Sequence, residues 1–145
     1  MRLYKIFNVK SQYEYFTMGR EEQLFYLLRE FEKNKQQVEY ICNPIQPLLL
    51  EKLMQKLSII FHSSHTEKGH CELIHPVKGK ITITAAPYYL SVYCEGSRML
   101  DLDLFNTLSK EQQPLFAVMQ KEKEWGWLKP IKYTKENDES AIVFH

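Results

Sequence analysis

The sequence predicts a mixed α/β domain in which one mainly antiparallel sheet is flanked by helices. Three observations predict it. Two stretches, 19–34 and 47–61, carry apolar residues at helical spacing. Three short runs rich in β-branched and aromatic residues follow one another between 71 and 94, separated by turn-forming sequence. The chain has 145 residues, enough for one domain and short for two.

Residues 3–9 (LYKIFNV) combine β-branched and aromatic side chains with no helix-capping residue, and read as a first strand. Residues 10–18 (KSQYEYFTM) break that pattern. A helix follows over 19–34: Leu24, Phe25, Leu28 and Phe31 share a face, acids stand early, and Lys33 and Lys35 stand late, as the helix dipole favours. Residues 38–42 (VEYIC) form a short apolar run closed by Asn43-Pro44-Ile45-Gln46-Pro47, a rigid connector whose prolines fit neither a helix interior nor a central strand. Pro47 suits the first turn of a second helix, and Leu49, Leu50, Leu53, Met54, Leu57, Ile60 and Phe61 give that helix a broad apolar face that must be buried.

Residues 62–70 read as a polar loop. The runs 71–74, 80–85 and 88–94 then form a meander, with Lys78-Gly79-Lys80 and Ala85-Ala86-Pro87 at its turns. A third helix is expected over 97–110 from Leu100, Leu104 or Phe105, and Leu108, and a buried strand over 115–119 (LFAVM). Trp125-Gly126-Trp127-Leu128-Lys129-Pro130 reads as a turn whose indoles clasp the sheet. A short closing strand is expected at 131–133. The folded domain should span 1–133, with a flexible tail at 134–145.

Charge and composition exclude several function classes. With 19 Lys+Arg against 18 Asp+Glu the net charge is +1, so the Lys/Arg excess that drives non-specific binding to nucleic acid is missing. Cys42, Cys71 and Cys94 are an odd number with no CxxC pair, as expected of reduced thiols in a cytoplasmic protein. The start MRLYK has no apolar signal region, and no apolar stretch is long enough to cross a bilayer. The chain contains no G-x-S-x-G elbow, no phosphate-binding G-x-x-x-x-G-K-[ST] loop and no HExxH helix.

Two chemical constellations remain. His62, His65, His70 and His75 lie within fourteen positions around Cys71, and imidazole with thiolate is a zinc-ligand set. Their spacing, H-x2-H-x4-H-C-x3-H, matches no common zinc pattern, and a solvated loop leading into a strand is the ordinary reading. The second concerns acetyl transfer. After the third strand of the meander comes Cys94-Glu95-Gly96-Ser97-Arg98-Met99, and the element order resembles that of the GCN5-related acetyltransferases. That family holds the acetyl-CoA pyrophosphate on a Gly-rich turn at this place. Here the turn has one glycine and an acid where a polyanion would sit. Glu95 or Glu72 would be the base and Tyr88 or Tyr93 the acid of such an enzyme, and ordinary surface roles explain all four.

Aromatic residues make up 13% of the chain, with nine Tyr, eight Phe and two Trp. Phe25, Phe31, Phe61, Phe105 and Phe116 sit on periodic apolar faces and belong to the core. Tyr13, Tyr15 and Phe16 stand instead among Ser11, Gln12, Glu14 and Thr17, and Tyr40 stands just before the prolines. Rings in polar surroundings are typical of interfaces, where Tyr and Phe offer large contact area for few frozen torsions.

Three collinear stretches carry a resemblance over about 130 residues: Tyr13-x-x-Phe16-Thr17-Met18-Gly19-Arg20-Glu21 running into Leu24-Phe25, Tyr40-Ile41-Cys42-Asn43-Pro44-Ile45, and Trp125-Gly126-Trp127-Leu128-Lys129-Pro130-Ile131-Lys132. In these the chain resembles the SirA family, sporulation inhibitors of replication from endospore-forming bacteria. The resemblance implies a cytoplasmic, non-enzymatic regulator that needs no cofactor and binds the N-terminal domain of the replication initiator DnaA as cells commit to sporulation. It further implies a monomer that forms a heterodimer with the initiator, without direct DNA or membrane contact. Carried over by position, its partner-binding residues are Tyr13, Thr17 and Tyr40, with Phe16 beside them. Thr17 stands where the family has Tyr, so Phe16 or Tyr15 compensates for the lost ring, the partner surface differs, or the affinity is lower. The segment before the first helix and the run before the prolines are expected to converge beside the sheet, rimmed by Glu14, Glu39 and Lys10.

Overall fold

The fold is described from a computed structural model for residues 1–111, 113–128 and 143–144. Its centre is β1 (Arg2–Val9), which pairs antiparallel with β6 (Tyr89–Gly96) on one side and β7 (Leu115–Met119) on the other. Beyond β6 lie β5 (Gly79–Ala85), β4 (His70–His75) and β3 (Ser63–Glu67), and beyond β7 lie β8 (Trp125–Trp127) and β9 (Val143–Phe144). The two-residue β2 (Cys42–Asn43) pairs with the end of β1 through Asn8↔Asn43 and Val9↔Cys42. Every pairing among the described residues is antiparallel.

Helices cover the two faces of this sheet unequally. On one face α4 (Pro47–Ile60) and α5 (Met99–Leu108) bury Leu49, Leu53 and Leu57, and Leu100 and Leu104, against Tyr4 and Ile6 of β1 and the inward residues of β4 to β7. On the other face α2 (Glu21–Arg29) and α3 (Lys35–Ile41) bury Leu24, Phe25, Leu28 and Val38 against Phe7, Val9, Phe116 and Val118. Strands between two covered faces read as unbroken apolar runs, and all five residues of β7 are buried. On β4 and β5 inward Cys71, Leu73, Ile81 and Ile83 alternate with more exposed neighbours.

Arg2, Tyr4 and Asp101 fasten β1 to α5. The Arg2 guanidinium donates from Nε to Asp101 Oδ2 at 2.8 Å and from Nη2 to Oδ1 at 2.7 Å, and the Tyr4 hydroxyl donates to the same carboxylate. Burial pushes the Asp101 carboxyl up, but the hydrogen bonds from Arg2 and Tyr4 and the guanidinium charge outweigh it and hold Asp101 below the usual carboxylate range.

Five local expectations are corrected. Residues 11–17, expected to be irregular, form α1 (Ser11–Thr17), a two-turn helix too short to show an apolar stripe. The helix expected over 19–34 ends at Arg29, and residues 30–34 turn, with the Asn34 N–H on the carbonyls of Glu30 and Phe31. The run 38–42 is mostly the helix α3, because packing of Val38 into the second core overrides its β-rich composition. The loop expected at 62–70 contains β3, an edge strand exposed at all five positions and so without apolar alternation. The turn expected at 125–130 begins with β8, whose Trp127 packs on Phe116 with ring centroids 4.9 Å apart.

The meander, the second and third expected helices and the strand at 115–119 form close to their expected limits. The turn placed at 78–80 falls at 76–78, where His75 Nδ1 accepts the N–H groups of Val77 and Lys78. The expected strand at 131–133 and all but 143–144 of the expected tail lie outside the described residues. Four helices rather than two precede the meander, so the acetyltransferase-like order holds only coarsely.

Candidate functional site

The chain reverses at both ends of the α1 to α3 segment, and this brings its aromatic residues together. The Lys10 N–H donates to the Ile41 carbonyl at 2.8 Å, joining the start of α1 to the end of α3. One turn into α1 and at the last turn of α3, the rings of Tyr13 and Tyr40 meet with centroids 5.6 Å apart and planes tilted by 46°. The interaction between the two phenols holds Tyr13 below and Tyr40 above the usual tyrosine range.

Beside this pair lies a groove of about 490 Å³. Thr17, Leu24, Leu27 and Ile41 are its more buried lining, and the rings of Tyr13, Phe16 and Tyr40 rise beside them. Phe16 is 62% exposed and Tyr40 66% exposed, values that are high for side chains of this size. A shallower apolar concavity shares Leu27, Tyr40 and Ile41 and extends along α3 to Gln36 and Gln37. The polar margin is supplied by Gln12, Arg20 and Gln23. Arg20 lies 4.7 Å from the Phe16 ring centroid and donates to the Phe16 carbonyl at 2.8 Å, which holds the cation against the ring. Lys10 Nζ stands 5.8 Å from the centroid of Tyr40.

The structure thus brings Tyr13, Phe16, Thr17 and Tyr40 to one groove. Thr17 takes part differently from the rings. It is 7% exposed, and its hydroxyl donates to the Glu14 carbonyl at 2.8 Å, so it offers the groove mainly its methyl. Tyr15 is 85% exposed yet does not line the groove, which leaves Phe16 as the neighbouring ring on that side. Arg20 just before α2, Gln23, Leu24 and Leu27 of α2, and Ile41 are the lining residues that the aromatic pattern did not single out. Leu27 had one legible signal: it is apolar but falls off the stripe of Leu24, Phe25, Leu28 and Phe31.

The two chemical constellations are not assembled. His65 and Glu67 lie on exposed β3, His70 Nδ1 bonds Thr84 Oγ1 at 3.0 Å, His75 caps a turn, and Cys71 points into the core. Among the described residues no three His, Cys, Asp or Glu side chains converge on a point. Glu95 pairs with Lys80 at 3.8 Å and Glu72 with His70 at 3.9 Å. The segment that stands where an acetyltransferase would have its cofactor turn begins as the end of β6, where Gly96 is packed against Gly79 of β5. No described helix is long and apolar enough to cross a membrane.

Sequence comparison agrees with the collinear motifs that contribute to the groove. The family model described as sporulation inhibitor of replication protein SirA matches residues 2–132. The protein of that name from Bacillus subtilis (strain 168) is 23% identical over 146 residues, an alignment that covers 90% of this chain and 95% of the relative. The match runs from β1 through the groove and past β8, and on that basis the chain belongs to the SirA family.

Proposed function

We propose that the groove docks the N-terminal domain of the replication initiator DnaA, and that the chain is a non-enzymatic inhibitor of replication initiation during commitment to sporulation. The observation that carries this reading is the convergence of Tyr13, Phe16 and Tyr40 around one apolar groove. The family description, an inhibitor of replication acting in sporulation, supports it.

The physics suits a protein partner. Two or three aromatic anchors supply most of the energy of many interfaces, and rings already held by neighbours lose little freedom on binding. Tyr13 and Tyr40 hold each other, and Arg20 holds Phe16. Inhibition is steric: a bound copy covers surfaces that the initiator uses to self-associate or to recruit partners at the origin. The action requires no turnover, cofactor, membrane or direct DNA contact, and the complex is a cytoplasmic heterodimer.

Size-exclusion chromatography of the two purified proteins tests this reading. The wild-type chain is expected to co-elute with the isolated N-terminal domain of DnaA, and the double variant Tyr13→Ala, Tyr40→Ala to elute apart from it while retaining its native circular dichroism. Co-elution of that folded double variant would remove the groove from the interface.

A further inference from the structure

A second, polar region lies outside the aromatic groove and is made of two concavities that meet at Gln113. Its first part, about 480 Å³, is bounded by Lys52, Gln55 and Lys56 of α4 and by Lys110, Glu111 and Gln113 after α5. The second part, about 280 Å³, shares the wall of Gln113 and is bounded by Asn8, Ser11, Asn43 and Gln46, with Pro44 and Pro114. One part is therefore cationic, and the other is neutral and rich in carboxamides.

The cationic part has an excess of ammonium groups. Glu111 is held by Lys56 at 2.9 Å, and among the described residues neither Lys52 nor Lys110 has a carboxylate within ion-pair distance. Three cations facing one carboxylate favour a bound anion, and phosphate oxygens accept several charge-assisted bonds at once. The neutral part has an unmet polar group. Asn8 is 5% exposed, its Nδ2 donates to Gln113 Oε1 at 2.6 Å, and its Oδ1 has no partner. A buried acceptor left in this way is unfavourable, and a donor from outside the chain would satisfy it once the Gln113 side chain moves aside. Gln113 stands between the two parts, so its side chain governs access to Asn8.

From this arrangement we propose that the trough binds a nucleotide, with its phosphates on Lys52, Lys56 and Lys110 and its base among the carboxamides of Asn8, Asn43, Gln46 and Gln113. Carboxamides carry a donor and an acceptor side by side, the pattern that pairs with a base edge. Pro44 and Pro114 supply apolar ring faces for the base plane. The site lies outside the groove proposed for the initiator, and its occupancy is a separate property of the chain.

Equilibrium dialysis of the full chain with ADP, pyrophosphate and adenosine tests the proposal. Saturable binding of ADP is expected, with pyrophosphate and adenosine each at least about tenfold weaker, since each lacks one half of the contacts. The exposed double substitution Lys52→Gln, Lys110→Gln should weaken ADP at least about tenfold at unchanged melting temperature, and Gln113→Ala should weaken ADP more than it weakens pyrophosphate. Absence of saturable ADP binding, an affinity unmoved by the lysine substitutions, or pyrophosphate binding as tightly as ADP would each overturn it.

Discussion

Tyr13 and Tyr40, from helices on either side of α2, lie ring against ring at 5.6 Å, and Tyr40 keeps two-thirds of its surface in solvent. An exposed ring fixed by a second ring is an anchor prepared before any partner arrives. It follows that Tyr40→Ala should reduce affinity for the initiator's N-terminal domain by about 2 kcal/mol or more, roughly thirtyfold, while leaving the melting temperature nearly unchanged. Calorimetric titration together with thermal melts checks both halves of that statement.

The buried carboxylate of Asp101 should govern acid stability. Its pKa is lower in the folded chain than in the unfolded one, so its contribution is fully present above the unfolded carboxylate value, about 4, and is lost as pH falls through the folded value below it. Asp101→Asn should destabilise the protein by about 3 kcal/mol at neutral pH, because the Arg2 charge is left without its partner, and should flatten the stability profile at low pH. Urea denaturation at several pH values reads both effects.

Gly79 and Gly96 face each other across β5 and β6 with φ of 124° and 128°. A Cβ on Gly96 would collide with the Lys78 carbonyl oxygen, and one on Gly79 with that of Glu95. Gly96→Ala should therefore lower stability by about 2 kcal/mol, read as a fall in the denaturation midpoint without loss of the aromatic groove.

The three thiols should be silent in the folded protein. Cys42, Cys71 and Cys94 are buried and unpaired, and burial pushes Cys42 up to about 12 and raises the other two. A thiol reagent at pH 8 is expected to label none of them in buffer and all three in denaturant. Fast labelling in buffer would show that the sheet opens locally.

Long apolar patterns were legible in the sequence, and short or exposed elements were not. The Leu49, Leu53, Leu57 repeat and the run LFAVM announce α4 and β7, because each reports a face or faces turned to the core. By contrast β3 is polar at all five positions, and α1 and α3 each have only seven residues, too few for a period of 3.6 to stand out. Tyr13, Phe16, Thr17 and Tyr40 were picked out by aromatic clustering and family resemblance. The remaining lining from α2 depends on how three helices are set against one sheet, which residue spacing along the chain does not encode.

The most direct measurement is isothermal titration of the chain into the isolated N-terminal domain of DnaA, run in parallel with Tyr40→Ala and with Tyr15→Ala. Tyr15 is the more exposed of the two rings but does not line the groove, so it separates a groove interface from a generally sticky aromatic surface. Docking in the groove predicts saturable binding near one to one, weakened strongly by Tyr40→Ala and little by Tyr15→Ala. Equal loss in both variants, or no heat at high concentration, would contradict it.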